Sequence, residues 1–404
     1  MARSLIWIAL TLVGACAPAA PATKGQSAPP VPVAVTPPAP APAATDTAAA
    51  ARPWRVGVLL PFTGAEAPLA AHTREGIQVA VDAANERGGP GGRRIELVYT
   101  DDASNVQLAA ERTRLMIERD QVIAVLGEVA SARSLAAGTV ANRKGVPLIS
   151  PSSTNPAVTK VGPFVFRTCV VDDVQGRIGA RFVVSGLGKK RVAVLYGSDV
   201  VYSKLLAGVF VEEAKRLGAQ VVAEQSFLQA DTSFTRQLAA IARAKPDVVY
   251  APTYYVEMIR IARQATAAGL RGDRFVGADG WDSPELLRDA GDVLEGAYFT
   301  NHWVPDAPWP ASRRFVADYQ QRFRREPDTL AATGHYAAAV LADALARSHG
   351  DDGIAVREAL SESRNVEGVT GTISLDADRN AAKPMSIVRI QSKAFTFHSQ
   401  TSAE

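Results

Sequence analysis

The residues best placed to recognise a small molecule are hydroxyls rather than acid–base pairs. Ser150-Pro151-Ser152-Ser153-Thr154-Asn155-Pro156 packs four hydroxyls and an amide among prolines. Glu128-Val129-Ala130-Ser131 opens a helical stretch with Ser131 as its expected N-cap. Hydroxyls and free backbone N–H groups at helix starts suit a carboxylate, although capping alone explains any single serine. Three further segments carry Tyr202, the pair Tyr254-Tyr255, and Ala278-Asp279-Gly280-Trp281. Asp279 can pair with an ammonium, or it can be the turn residue that Asp-Gly favours.

Catalytic patterns are missing. The chain has no His-Glu-x-x-His, Cys-x-x-Cys, Gly-x-Ser-x-Gly or Gly-x-x-x-x-Gly-Lys sequence, so neither a metal site, a cofactor nor a nucleophile is signalled. The five histidines (His72, His302, His335, His349, His398) fall outside the loops just named. Asp101-Asp102 and Asp172-Asp173 are sequence neighbours, which points their side chains apart. The expectation is a binding protein and not an enzyme.

The elements that must hold these loops alternate. Residues 55–60 (RVGVLL) form a short apolar run rich in β-branched residues, a strand. Residues 72–86 then place Ile77, Ala80, Val81 and Ala84 at helical spacing. The pattern repeats with strands at 95–100, 122–126 and 146–150 and helices at 106–119 and 131–143. A second series runs from helix 175–185 through strands 191–196, 220–226, 248–251 and 274–278, with helices 202–217, 234–244 and 256–268. Helices 311–324, 333–347 and 353–363 and strands 371–375, 385–390 and 394–398 follow. Repeated βα units with apolar strands predict an α/β fold, two doubly wound, Rossmann-like lobes with parallel sheets covered on both faces. In such sheets ligands sit beyond the C-terminal strand ends, where all the loops named above fall.

A formal net charge of +3 over 404 residues is too small to argue for nucleic acid. Cys169 lies in an apolar run and reads as a buried small hydrophobe. Cys16 belongs to a leader. Arg3, the apolar stretch 5–13 and small residues follow the order of a secretory signal, and the stretch is far shorter than the roughly 20 residues that span a bilayer. Val13-Gly14-Ala15-Cys16 resembles the bacterial lipobox, which makes 1–15 a signal peptide and Cys16 the lipidated N-terminus. Cleavage after Ala15-Cys16-Ala17 also has the small-x-small pattern, but Pro18 would sit just past that cut. Residues 16–52 are Ala/Pro-rich with little charge, a disordered tether that reaches on the order of 100 Å when stretched.

GEVASARSLAAGTVANRKGVPLISPSSTNPAVT (127–159), LLPFTG (59–64), NERGGPGGRRIELVYTDD (85–102), RTCVVDDVQG (167–176) and APTYYVEM (251–258) together resemble the leucine/isoleucine/valine-binding family of periplasmic ABC-transporter receptors. The resemblance covers nearly everything after Pro53. It implies a type I periplasmic binding protein, two lobes joined by three crossovers that hinge shut on a free amino acid. By position, Ser131 and Thr154 would bind the α-carboxylate, with Ser153 in the same loop. The Ser152 carbonyl, the Thr154 hydroxyl and Asp279 would take the α-ammonium, and Tyr202 with Tyr254 or Tyr255 would close over the ligand. Leu69 stands where relatives often have an aromatic residue, and Trp281 adds bulk, so the side-chain subsite differs. Ser104 and Ala130 stand where some relatives have a disulfide.

The expected lobes are 53–172 plus 299–372 and 173–298 plus 373–398, with a tail at 399–404. The expected partner is an ABC permease in the inner membrane. The expected place is the periplasm, lipid-anchored, with the long tether and Ala17 after Cys16 favouring the outer membrane. The same fold resembles that of outer-membrane lipoprotein regulators of peptidoglycan synthases and of ligand sensors, which is the alternative.

Overall fold

The computed structural model describes residues 52–64 and 66–402. The expected signal peptide, Cys16 and the expected tether up to residue 51 lie outside the described residues. The first sheet is built from β1 (Trp54–Leu60), α1 (Ala67–Glu86), β2 (Ile95–Asp101), α2 (Val106–Glu118), β3 (Ala124–Gly127), α3 (Ser131–Lys144), β4 (Leu148–Ser150) and β5 (Val165–Arg167). All its pairings are parallel, in the order β2-β1-β3-β4-β5. Alternation along β1 assigns the faces: Val56, Val58 and Leu60 enter the core beneath α1, while Leu59 enters the core beneath α2 and α3.

The chain then crosses to the second lobe through α4 (Asp172–Arg181). There follow β6 (Arg191–Gly197), α5 (Val201–Arg216), β7 (Gln220–Phe227), α6 (Thr235–Ala244), β8 (Val248–Tyr250), α7 (Tyr255–Ala265), β9 (Phe275–Gly277), α8 (Pro284–Ala290) and β10 (Tyr298–Asn301). A second crossover leads to α9 (Pro310–Phe323), α10 (Thr329–Arg347) and α11 (Gly353–Ser361), which return to the first lobe, α10 lying along α1. A small antiparallel sheet of β11 (Val366–Gly368), β12 (Gly371–Leu375) and β13 (Ala381–Ala382) makes the third crossover, and β14 (Met385–Gln391) and β15 (Ala394–Thr401) complete the second sheet.

That sheet has the order β15-β14-β10-β9-β8-β6-β7, parallel from β7 to β10 and antiparallel at β14 and β15. Three expectations change here. β10 pairs with both β9 and β14, so residues 299–301 belong to the second sheet rather than to the first lobe. The final strand continues to Thr401, so the supposed tail at 399–404 is strand through Thr401. α1 starts at Ala67, five residues earlier than expected, because Pro68 in the first turn begins a helix rather than breaking it.

The third crossover holds a buried cation. Lys383 Nζ donates to Thr370 Oγ1 at 2.6 Å and lies 5.4 Å over the Tyr336 ring, with no carboxylate pairing it among the described residues. Burial pulls its ammonium down to about 7. The unfolded chain, with its lysine near 10.4, then binds a proton that the native state refuses between pH 7 and 10, so stability falls as pH drops through that window and stays low below it. Lys383→Met is expected to stabilise the protein by about 2 kcal/mol at pH 6, the gain shrinking toward pH 10. Urea melts at the two pH values check this.

Candidate functional site

Both parallel orders place a switch point in the middle of the sheet, between β1 and β3 in the first lobe and between β6 and β8 in the second. Loops diverge there, leaving a crevice at the C-terminal strand ends. Ser131 stands after β3, Ser152 and Thr154 after β4, Tyr202 after β6, Tyr254 after β8 and Asp279 after β9.

The first-lobe loops are locked from behind. Ser150 Oγ donates to the Glu128 carbonyl at 2.6 Å and Ser152 Oγ to the Val129 carbonyl at 3.1 Å, tying the 150–156 loop to the start of α3. Arg167, fully buried, donates through one nitrogen to the carbonyls of Ser153 and Asn155, each at 2.8 Å, and through the other to Thr159 Oγ1 at 3.2 Å. A guanidinium can fan out to three acceptors at once, which fixes the loop's curvature.

Ser131 is not the N-cap. Ala130 takes the extended cap conformation, Ser131 is the first helical residue, and its Oγ accepts from the Asn155 N–H at 3.3 Å. That bond does not use the Ser131 proton, and the first-turn N–H groups of α3 have no acceptor within the helix. Ser153 is a second correction. Its side chain is 1% exposed and bonds Ser134 Oγ at 2.8 Å and the Glu128 carbonyl at 3.2 Å, so it belongs to the loop's interior.

Asp279 is the centre of the second-lobe face. Its Oδ1 accepts from Tyr202 Oη at 2.7 Å and Gln175 Nε2 at 2.9 Å, and His302 Nε2 stands 3.3 Å from Oδ2. Burial pushes the carboxyl up, but His302, Tyr202 and Gln175 outweigh it and hold Asp279 below the usual aspartate range. Tyr202 is pinned a second time by the Gly280 N–H at 2.9 Å. Tyr254 stacks on it, ring centroids 4.8 Å apart and planes 16° from parallel, and remains 41% exposed. Burial, and next the Asp279 charge, push both phenols upward, so each stays a neutral donor.

The remaining candidates pack into or against the core. Trp281 is fully buried, its Nε1 donating to the Ala251 carbonyl at 3.1 Å, and its indole fills core space beside Gly277. It therefore adds no bulk to the crevice. Tyr255 and Leu69 are partly buried and pack against the core, whereas Tyr254 stacks on Tyr202. Cys169 is buried, and burial pushes its thiol up to about 12, the inert small hydrophobe expected. Ser104 and Ala130 occupy the two first-lobe positions expected to lack the cysteines, and Ser104 Oγ instead accepts from the Glu66 N–H at 3.0 Å.

Sequence reasoning misses four residues of the site: Gln175, His302, Arg167 and Asp172. His302 follows β10 and reaches Asp279 only because β10 and β9 are neighbours in the sheet. RTCVVDDVQG, quoted for its resemblance, contains the other three; its two acids lie at the start of α4, where side chains 173 and 172 diverge as helical neighbours do.

The matched family model, described as periplasmic binding protein, spans residues 53–394. Among curated proteins, the Leu/Ile/Val-binding protein homolog 2 of Brucella abortus is 29% identical over 326 residues, 80% of this chain and 86% of that one. Among solved structures, the leucine-binding protein LivK of Thermotoga maritima is 34% identical with a TM-score of 0.75, covering 86% of this chain and 98% of that one. The branched-chain amino acid transporter substrate-binding protein LivJ of Streptococcus pneumoniae, in complex with isoleucine, is 28% identical at the same TM-score, covering 87% and 99%. This chain belongs to the type I periplasmic binding protein family, the one that contains the leucine/isoleucine/valine-binding receptors of ABC transporters.

Proposed function

We propose that the protein is an extracytoplasmic lipoprotein, anchored through Cys16, that captures one free amino acid between its lobes and delivers it to an ABC permease. The observation that carries this reading is the Asp279 carboxylate, ionised and held by three groups at the end of β9. It supplies the ammonium pole. Ser131 with the first-turn N–H groups of α3 supplies a carboxylate pole rich in donors, the Arg133 guanidinium of that turn being paired with Glu66, Asp102 and Glu128. Thr154 and the Ser152 carbonyl lie in the loop between the poles, and the Tyr202–Tyr254 stack covers the ligand when the lobes close. Two poles at fixed spacing select a zwitterion, and the relatives' ligands, leucine and isoleucine, are of that kind.

No step of this binding breaks a covalent bond, and the site residues act as donors and acceptors. Closure is driven only by the ligand's preference for the closed lobes over the open ones. A micromolar Kd, about 8 kcal/mol, is within reach of several charge-assisted hydrogen bonds and one buried side chain.

Calorimetric titration of residues 53–404, unfolded and refolded to remove carried ligand, against a panel of the common amino acids tests the reading. Micromolar or tighter binding of one aliphatic group is the expected result. Silence across the panel from a folded sample would sink it and move the weight to a regulator or sensor on the same fold.

A further inference from the structure

We propose that Glu66, gripped by the buried Arg133, is the first lobe's acceptor for the Tyr254 phenol and fixes that ring over the amino acid once the lobes close. The inference rests on the amino-acid reading above and adds to it a positioning contact between the lobes. Arg133 lies in the first turn of α3, its side chain only 4% exposed. Three carboxylates share its guanidinium: Glu66 Oε2 at 2.7 Å, Glu128 Oε1 at 3.1 Å and Asp102 Oδ1 at 3.6 Å. Asp102 and Glu128 are fully buried, whereas the Glu66 side chain is 44% exposed. Arg133 uses only one Glu66 oxygen, and the other accepts no hydrogen bond among the described residues.

The loop that carries Glu66 is tied down in its own right. The Glu66 N–H donates to Ser104 Oγ at 3.0 Å, Ser104 Oγ donates to the Thr63 carbonyl at 3.0 Å, and Thr63 Oγ1 donates to Asp101 Oδ2 at 2.6 Å. Gly64, at φ 89°, lets this loop press onto the next one: a Cβ there would stand 2.6 Å from the Ala103 carbonyl oxygen. Backbone and guanidinium together hold the free oxygen of Glu66 in place, so a contact with it need not first order a flexible side chain.

Tyr254 meets the crevice from the other lobe. Glu66 follows β1 and Tyr254 follows β8, each a strand beside the switch point of its sheet. The Tyr254 phenol feels the charges of Asp279, Asp172, Glu66 and Glu257. Asp172 and Glu257 are buried, and Asp279 is engaged by Tyr202, Gln175 and His302, which leaves Glu66 as the open acceptor. Stacking on Tyr202 sets the plane of the Tyr254 ring, and Gly280 makes room for it, since a Cβ there would lie 3.1 Å from Tyr254 Cδ1. The Tyr254 hydroxyl makes no hydrogen bond among the described residues. Closure strips water from that hydroxyl, and a phenol shut into a dry crevice without an acceptor is penalised. A carboxylate makes the replacement bond charge-assisted.

The test is a double-mutant cycle on the protein stripped of carried ligand, titrated with its tightest-binding amino acid, with dissociation followed by stopped flow. Glu66→Gln keeps the size of the side chain, but Arg133 claims the amide oxygen and leaves an NH2 toward the phenol. Tyr254→Phe removes the donor and keeps the ring. Each is expected to weaken binding about tenfold, almost wholly through faster dissociation, because the contact exists only in the closed form. The double variant should also lose about tenfold, since both changes remove the same bond. A double loss of about a hundredfold, the product of independent effects, overturns the proposal alone. So does either single variant that binds like the parent, or a loss that lies in slower association. Failure of every amino acid to bind the unaltered protein overturns the amino-acid reading and the proposal together.

Discussion

Gly76→Val should leave the protein largely unfolded. α1 and α10 lie against each other through small residues, and a Cβ at position 76 would fall 1.9 Å from the Ala331 carbonyl oxygen. The contact is reciprocal: a Cβ at Gly334 would lie 2.5 Å from the Thr73 carbonyl oxygen. Both obstacles are backbone, which no rotamer change can move. The helices must separate, and the core beneath them, including Ile77, Ala80, Ala337 and Leu341, opens with them. Overpacking in cores ordinarily costs 1–3 kcal/mol, and a valine against backbone on this interface should exceed it, about 4 kcal/mol or more. Urea unfolding and soluble yield measure the loss. Gly208→Ala is the control, since Gly208 sits exposed in α5 with nothing near its would-be Cβ, and a helical alanine there should gain about 0.5–1 kcal/mol. Equal behaviour of the two variants would remove the close-approach argument.

The fold was legible where periodicity was long. Every helix of ten residues or more is visible in the sequence, because an apolar stripe that repeats over three turns fits a helix and no strand. Short elements were not. β10 (Tyr298–Asn301) has only four residues, and although Gly296 marks a turn before it, nothing local separated it from the loop that follows. Only its pairing with β9 and β14 makes it a strand. α8 spans seven residues opened by Ser283-Pro284, and Pro at the first helical position reads in isolation as a stop. β14 and β15 turn the second sheet antiparallel at one side, which their apolar content alone could not announce.

The site divides in the same way. Loops at strand ends point toward a cleft by topology, so Ser131, Ser152, Thr154, Tyr202, Tyr254 and Asp279 could be chosen from the order of elements and from resemblance. Which of two adjacent residues faces the cleft could not. Ser153 and Trp281 lie close in sequence to Thr154 and Asp279 and are themselves buried. The supporting polar groups were hidden for another reason. Gln175 meets Asp279 across 104 positions of sequence, and His302 reaches it from the neighbouring strand. Such partners carry no spacing rule, because the sheet order creates them.

Asp279→Ala should weaken amino-acid binding by at least a thousandfold, the largest functional effect of any single side chain in the protein. The substitution removes the one fully ionised group at the ammonium pole, and truncating a buried charged partner typically costs 2–5 kcal/mol or more because the opposite charge stays desolvated. Here the cost extends beyond the ligand. Tyr202 Oη and Gln175 Nε2 lose their shared acceptor and His302 loses its neighbour, so three buried groups must find new partners. The hydrogen bonds that hold Asp279 below the usual range also contribute stability, present above pH 4 and lost as pH falls through its lowered value. The variant should therefore unfold at lower urea at pH 7 and converge with the parent under strongly acidic conditions. Asp279→Asn separates the two losses, since an amide keeps an acceptor for Tyr202 and removes the charge. Its stability should return most of the way while its affinity stays at least a hundredfold below the parent. Titration and urea melts on the same three proteins decide the matter: affinity recovered by asparagine would mean that Asp279 shapes the crevice through Tyr202 and Gln175 and does not meet an ammonium at all.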